Sequence, residues 1–293
     1  MSNAIGIYYA YWTRDWDADF VPYVSKVKAL GFDVLEVNSG TVANMRPSER
    51  KRLRDAARDA GIELTACIGL PAEYDVASAD AFVRGRGIDF LRLQAEALAE
   101  TDIRKLGGIV YGYWPGALPA GETDRRPYWD RSVAAMRDVM KAAEDCDVVF
   151  HIEAVNRFEQ YLINTAAEAV DYCRQVDSPN CRVLLDSFHV NIEEDSYRDA
   201  IVTAGDLLGH MHIGETNRRA PGRGKTPWAE LFGALAEIGY AGAITMEPFL
   251  VPGGEVGRDI KVYRDLSEGL DLDEEARRAC AFVKEQLSAA ASA

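Results

Sequence analysis

The feature that most constrains this chain is a repeated alternation of short apolar runs with longer segments of helical periodicity. The apolar runs have the length of strands, and amphipathic or alanine-rich segments separate them. Strand followed by helix, about eight times over, favours a closed parallel (β/α)8 barrel over an open doubly wound α/β sheet. The predicted strands cover residues 5–11, 33–38, 63–70, 107–113, 147–155, 182–186, 208–213 and 243–248.

The segments between the strands predict helices, several of which end at a glycine of the kind that caps helix C-termini. They cover residues 21–31, 46–61, 88–102, 129–146, 165–176, 196–205, 227–239 and 273–287. No linker, low-complexity tract or long internal repeat divides the chain. We therefore expect one domain over residues 1–293, with a short flexible alanine-rich tail after Leu287.

Composition excludes several classes of protein. The five cysteines are widely spread and lack CxxC or zinc-finger spacing, so we expect reduced thiols and a cytoplasmic location. No segment approaches the roughly 18 unbroken apolar residues of a membrane helix, so no membrane partner is expected. The formal net charge of −14 repels polyanions and argues against nucleic acid as a partner.

Four polar side chains lie at the ends of the last four predicted strands. They are Glu153, Asp186, His212 and Glu247. Functional groups of a barrel lie at the carboxyl ends of its strands, so these side chains should meet at one mouth. Three carboxylates repel one another there unless a cation neutralises them. The sequence therefore predicts a divalent metal site, with Mn²⁺ first, Co²⁺ or Mg²⁺ as alternatives and Zn²⁺ compatible with the same ligands.

Such a site suits chemistry on a sugar. Four protein ligands leave about two of six coordination positions free, which two adjacent sugar oxygens can fill. The metal would then polarise a carbonyl and stabilise the enediolate that forms when a neighbouring proton leaves. Glu153 and Glu247 are the natural bases in this interpretation.

Further polar residues follow these strand ends closely. Glu159, His189 and Arg218 fall in predicted loops beyond the ligands, where they either bind sugar hydroxyls or lie on the surface as ordinary loop residues. His151 and His210 share the inward orientation of Glu153 and His212 but lie one layer deeper. We expect both of these histidines to be packed, hydrogen-bonded core residues.

Aromatic residues and one cysteine also lie near the predicted mouth. Tyr8, Trp16, Trp114 and Phe249 are candidates for core or rim packing and, alternatively, for contact with the apolar face of a sugar. Cys67 lies in the third predicted strand, where a small buried apolar residue is the simplest interpretation, and it is also a candidate substrate contact. The PGRGK segment at 221–225 lacks the spacing of a phosphate loop and predicts a mobile loop.

Short motifs across the chain carry a resemblance to a known family. They are YYAYW (8–12), CIGL (67–70), VNRFEQ (155–160), LLDSFHVNIEE (184–194), GHMHIGE (209–215) and MEPF (246–249). In combination they resemble the ketose 3-epimerases of the D-tagatose 3-epimerase and D-psicose (D-allulose) 3-epimerase group. The resemblance implies a xylose isomerase-like TIM barrel, an isomerase activity and one divalent metal, commonly Mn²⁺ or Co²⁺, bound by the four strand-end residues.

The resemblance also implies roles around the metal. Glu159, His189 and Arg218 would hold the O1 to O3 region of a free ketose. One of Glu153 and Glu247 would remove the C3 proton, and the other would return a proton to the opposite face of a cis-enediolate. Substrate pairs in the family include D-tagatose with D-sorbose, D-fructose with D-psicose, and L-ribulose with L-xylulose. Its members form dimers or tetramers, so a homodimer or homotetramer is expected.

Two departures from the family pattern leave the preferred sugar open. Tyr8 stands where a phenylalanine is familiar, and GYW at 112–114 replaces CAW. An aldose–ketose or hydroxypyruvate-type isomerase on the same barrel is the nearest alternative, and a non-catalytic sugar-binding protein is another. An abasic-site endonuclease shares this fold, but four histidines and a net charge of −14 argue against its multi-zinc centre and basic face.

Overall fold

The computed structural model describes residues 3–290 and contains a closed barrel of eight parallel strands. The strands pair in chain order, and β1 closes the barrel by pairing with β8. Their bounds are β1 Ile5–Tyr8, β2 Val34–Asn38, β3 Glu63–Leu70, β4 Lys105–Tyr113, β5 Val149–Ala154, β6 Cys181–Asp186, β7 Leu208–Ile213 and β8 Ile244–Met246. The predicted (β/α)8 barrel is confirmed.

Helices surround the barrel and connect successive strands. They are α1 Val21–Leu30, α2 Ser39–Asn44, α3 Pro47–Ala60, α4 Ala81–Glu100, α5 Arg126–Asp145, α6 Ala166–Val176, α7 Ser187–Glu193, α8 Tyr197–Ala204, α9 Trp228–Glu237, α10 Gly254–Asp259 and α11 Leu272–Ala290. Local chemistry explains both ends of α3. Pro47 occupies the first turn of α3, and Gly61 ends that helix in the left-handed conformation at φ 63°.

Some boundaries differ from the sequence prediction. Residues 9–11, predicted as strand, form a 3-10 turn after β1. Helix α4 begins at Ala81 instead of residue 88, and Asp80 caps it by accepting a hydrogen bond from the backbone N–H of Phe82 at 2.8 Å. Gly87 lies within this helix where a Cβ would be 2.2 Å from the carbonyl oxygen of Tyr74. Helix α11 continues to Ala290 instead of ending at Leu287, and residues 291–293 of the predicted tail lie outside the described residues.

The apolar core holds the strand ends in register. Strand β1 is buried throughout, as expected for a parallel sheet covered on both faces. The hydroxyl of Tyr111 on β4 donates a hydrogen bond to the carbonyl oxygen of Glu153 at 2.9 Å, which fixes the end of β5. Within residues 3–290, the helices are too short or too polar to cross a bilayer.

One glycine of β4 offers a test of barrel packing. Gly108 has φ 109°, and a Cβ there would lie 2.2 Å from the carbonyl oxygen of Ile68. Gly108→Ala is expected to lower the free energy of unfolding by about 2–4 kcal/mol, since both backbone strain and overpacking oppose the methyl group. Urea denaturation followed by circular dichroism measures this change.

Gly85→Ala is the matched control for that experiment. Gly85 lies within α4, and a Cβ there meets no atom of the described chain within 4 Å. Alanine should raise the free energy of unfolding by up to about 1 kcal/mol, because it favours helix over glycine. Equal stability of Gly108→Ala and the parent would contradict the barrel packing described here.

Candidate metal and active site

The four strand-end side chains meet at the carboxyl end of the barrel. Glu153 lies near the end of β5, Asp186 ends β6, His212 lies in β7, and Glu247 directly follows β8. One ligand atom from each of them lies within 4.8 Å of the corresponding atoms of the others, and all four residues are buried. The aligned ends of neighbouring parallel strands produce this arrangement, as the pairing of Asp186 with His212 shows.

Positive groups partly compensate the carboxylates. Nη1 of Arg218 lies 2.7 Å from Oδ2 of Asp186 and 2.8 Å from Oε2 of Glu247. Nδ1 of His212 faces the same cluster, at 3.9 Å from Glu153 Oε1 and 3.7 Å from Glu247 Oε2. Three buried carboxylates thus share one guanidinium and one imidazole.

The electrostatics of the cluster favour a further cation. Burial, reinforced by the charge of Glu247, raises the pKa of Glu153 well above its ordinary value. Burial also raises the pKa of Glu247, to about 7, although His212 and Arg218 oppose the shift. Burial acts in the same direction on Asp186, but Arg218 outweighs it and holds the pKa of Asp186 below its usual range. A divalent ion would lower the cost of ionising all three carboxylates.

The atoms present fit such an ion. Nδ1 of His212 is buried, points toward the carboxylates and has no hydrogen-bond partner among the described residues. Three carboxylates and one imidazole are a donor set for Mn²⁺, Mg²⁺ or Co²⁺, with no thiolate in the group of four. Glu153, Asp186, His212 and Glu247 can therefore hold a divalent metal.

A further buried acid, Glu36 on β2, lies beneath the cluster and was missed in the sequence analysis. Its Oε2 lies 2.9 Å from Nε2 of His210 and accepts a hydrogen bond from Oγ1 of Thr65 at 2.8 Å. Its Oε1 lies 2.7 Å from Nε2 of His212. The available signal was a carboxylate inside an apolar strand, VLEVN, which is the same signal that singled out Glu153.

The two deeper histidines are both buried, as expected. His210 contacts Glu36, and the rings of His151 and His210 pack with their centroids 5.7 Å apart. Nδ1 of His151, however, has no hydrogen-bond partner among residues 3–290, so the expectation of a hydrogen-bonded ring does not hold at that atom.

Glu159 and His189 lie beside the cluster and share one partner. Asn156 donates a hydrogen bond from Nδ2 to Oε1 of Glu159 at 2.8 Å, and its backbone N–H donates to Nδ1 of His189 at 3.2 Å. Nε1 of Trp114 donates to Oε2 of Glu159 at 3.0 Å. His189 lies on the short helix α7, not in the predicted loop, and burial lowers its pKa to about 4, which keeps the ring neutral. Asn156 was also missed, because nothing in the sequence reveals its role as a brace.

Arg218 is held against aromatic rings at the mouth. Its backbone is left-handed, with φ 61°, and its guanidinium lies 4.3 Å from the ring centroid of Phe188 and 5.2 Å from that of Phe249. The ring of Tyr8 packs edge-on against that of Phe249, with the ring centroids 6.2 Å apart, and its centroid lies 6.5 Å from that of Trp16. Cys67 is buried, and burial raises the pKa of its thiol, which therefore remains protonated.

These side chains surround one cavity of about 720 Å³ above the cluster. Glu153 and Glu247 reach into it, while Asp186 and His212 lie beneath its floor and are fully buried. The eight predicted substrate contacts all line this cavity: Tyr8, Trp16, Cys67, Trp114, Glu159, His189, Arg218 and Phe249.

The segment at 221–225 is a loop, as predicted, and backbone hydrogen bonds anchor it. Backbone N–H groups of Gly222 and Arg223 donate to Oε1 of Glu215 at 2.6 and 3.0 Å, and that of Thr226 donates to Oε2 at 3.1 Å. Glu215 is fully buried and fastens the segment to the end of β7. These backbone hydrogen bonds were not evident from sequence, because their acceptor, the carboxylate of Glu215, lies seven to eleven residues earlier in the chain.

Comparison with known proteins places this geometry in a family. Residues 24–286 match the model of the xylose isomerase-like TIM barrel family. The chain is 47% identical over 283 residues to the D-psicose 3-epimerase of Ruminiclostridium cellulolyticum, an alignment that covers 95% of this chain and 96% of that relative.

Solved structures agree with this placement. A crystal structure of D-psicose 3-epimerase with D-tagatose from Clostridium cellulolyticum H10 superposes with a TM-score of 0.94 at 46% identity, covering 97% of this chain and 99% of that one. A D-psicose 3-epimerase structure in the presence of D-fructose has the same TM-score at 44% identity and the same coverage. The chain belongs to the ketose 3-epimerase family of xylose isomerase-like TIM barrels.

Proposed function

We propose that this protein epimerises free ketoses at C3, with Glu153 and Glu247 as the two bases. The observation that carries the proposal is the position of these two carboxylates, which come from different strands, reach into one cavity and belong to one potential metal cluster. Relatives at 42–47% identity are D-psicose 3-epimerases, which supports the same reaction.

In the proposed mechanism, one carboxylate accepts a proton from the sugar and the other donates a proton to it. A divalent ion held by Glu153, Asp186, His212 and Glu247 would supply polarisation of the ketose carbonyl. One of Glu153 and Glu247 removes the proton at C3, and the other returns a proton from the opposite face, which inverts that carbon. No redox cofactor is needed because the carbon ends at its original oxidation level.

The remaining polar groups orient the substrate. Glu159 is fixed by Asn156 and Trp114, so its carboxylate presents its remaining acceptor capacity to a hydroxyl at a defined place. His189 is neutral and is braced at Nδ1, while its Nε2 lies 3.4 Å from Nη2 of Arg218, so these two groups can meet the sugar together. We propose that these two residues and Arg218 hold the O1 to O3 region. The aromatic wall of Tyr8, Trp16, Trp114 and Phe249, with Cys67, would cover the rest of the sugar.

Several finer assignments belong to the same proposal. We propose Mn²⁺ as the metal, since the donor set is oxygen-rich, and D-fructose/D-psicose and D-tagatose/D-sorbose as substrate pairs, in accord with the sugars in the related structures. A homodimer or homotetramer, one domain over residues 1–293 and a cytoplasmic location are further proposals, the last supported by five free cysteines.

A product assay tests the reaction and ranks the sugars. Protein loaded with Mn²⁺ is incubated separately with D-fructose, D-tagatose and L-ribulose, and products are separated by chromatography. We expect D-psicose, D-sorbose and L-xylulose respectively. Each reaction mixture should contain only the starting ketose and its C3 epimer. An aldose as the main product from any of these sugars would instead indicate an aldose–ketose isomerase.

A further inference from the structure

We propose that Glu36 is a positioning residue for the metal site, which orients His212 and keeps its Nδ1 atom available to the divalent ion. The inference rests on the metal-dependent function proposed above and assigns a role to an acid that does not reach the substrate cavity.

The first support is the cost of placing this acid where it is. Glu36 is fully buried in β2, between Leu35 and Val37. A buried carboxylate loses hydration worth several kcal/mol, so it persists only where specific partners compensate it. An apolar residue would serve the core of this strand with no such cost.

The second support is the direction of its two oxygens. Oε2 is committed to Nε2 of His210 at 2.9 Å and to Oγ1 of Thr65 at 2.8 Å. Oε1 is thereby directed to Nε2 of His212, at 2.7 Å, in a bent geometry that falls short of a linear hydrogen bond. Glu36 thus meets one nitrogen of His212 from below.

The third support is what lies on the other side of that imidazole. Nδ1 of His212 faces Glu153 and Glu247 and has no hydrogen-bond partner among the residues described. A histidine that binds a metal is neutral, so with the ion in place the imidazole of His212 carries its proton on one nitrogen and a lone pair on the other. An anion beside Nε2 favours the proton there, which leaves the lone pair on Nδ1, the atom that faces the proposed metal. His210 and Thr65 serve this arrangement by holding the carboxylate in place.

Metal affinity of a matched set of variants tests the inference. Glu36→Gln keeps the size of the side chain and removes its charge. Glu215→Gln is the control, since Glu215 is an equally buried carboxylate whose hydrogen-bond partners are the 222–226 segment and Trp228, not a metal ligand. Free Mn²⁺ is measured by its electron paramagnetic resonance signal during titration of metal-stripped protein, and the thermal midpoint of each variant is recorded alongside.

The expected result is a selective loss of metal binding. Glu36→Gln should raise the Kd for Mn²⁺ by about 10–100-fold, the usual effect of removing a carboxylate that orients a metal-binding histidine. Glu215→Gln should lower the thermal midpoint and leave the Kd unchanged. A folded Glu36→Gln protein with the parent's Kd would overturn the inference and leave Glu36 a role in the fold alone. Failure of the parent itself to bind Mn²⁺ would instead overturn the metal-dependent function.

A measurement on the parent protein keeps the inference testable if Glu36→Gln does not fold. The chain has four histidines, so ¹⁵N-histidine NMR of the Mg²⁺-loaded protein is simple to assign. We expect His212 to carry its proton on Nε2 and none on Nδ1. A proton on Nδ1 of His212 in the metal-loaded protein would overturn the inference.

Discussion

The Glu247→Gln variant is expected to lower kcat for C3 epimerisation by about 10²–10⁴-fold, the usual contribution of one acid–base group. Glutamine has nearly the same size, but its amide cannot accept the C3 proton, and it also removes one anionic oxygen from the metal cluster. Initial rates with D-fructose, measured at saturating Mn²⁺, give the ratio directly.

Glu285→Gln is the matched control, because Glu285 is an exposed glutamate on α11 far along the chain from the strand ends. It should keep the parent's kcat. Retention of more than about a tenth of parental kcat by Glu247→Gln would contradict its role as a base, since even the low end of acid–base catalysis exceeds that factor.

Removal of the metal should abolish turnover and lower stability together. Protein stripped with a chelator is expected to show no measurable epimerisation, and added Mn²⁺ should restore it. A metal that binds the native state and not the unfolded state raises the free energy of unfolding, by about 2.7 kcal/mol when free metal is 100 times its Kd. The thermal midpoint should therefore rise on addition of Mn²⁺.

Asp186→Asn separates this effect from general ion binding. Asp186 is fully buried beneath the cavity and is one of the four proposed metal ligands, but it is not one of the two proposed bases. The variant should lose both the rise in thermal midpoint and the recovery of activity at the same Mn²⁺ concentration. Full activity of metal-free parent protein would contradict metal dependence.

The strand-end residues could be predicted from sequence for a simple physical reason. In a parallel barrel, the carboxyl ends of successive strands lie at the same edge, so Glu153, Asp186, His212 and Glu247 are brought together by topology alone. The barrel itself follows from the alternation of strand and helix. Residues a few positions past those ends, such as Glu159 and Arg218, are carried to the same cavity.

What the sequence did not reveal depends on contacts between distant segments. Glu36 meets His210 across 174 residues, and no local pattern indicates that the carboxylate of one strand lies under the histidines of another. Helix α7, which carries His189, is only seven residues long and is too short to show a helical period. Asn156 acts as a brace through one side chain whose partners are set by the finished fold.

The position of deuterium in the product tests the central claim most directly. Mn²⁺-loaded protein is incubated with D-fructose in D₂O, and the products are examined by NMR. We expect D-psicose that carries deuterium at C3 and none at C1, because the carboxylic acid that returns the proton is not the group that removed it and has already exchanged with D₂O. Deuterium at C1 or C2 with an aldose product, or a C3 epimer formed without deuterium at C3, would contradict it.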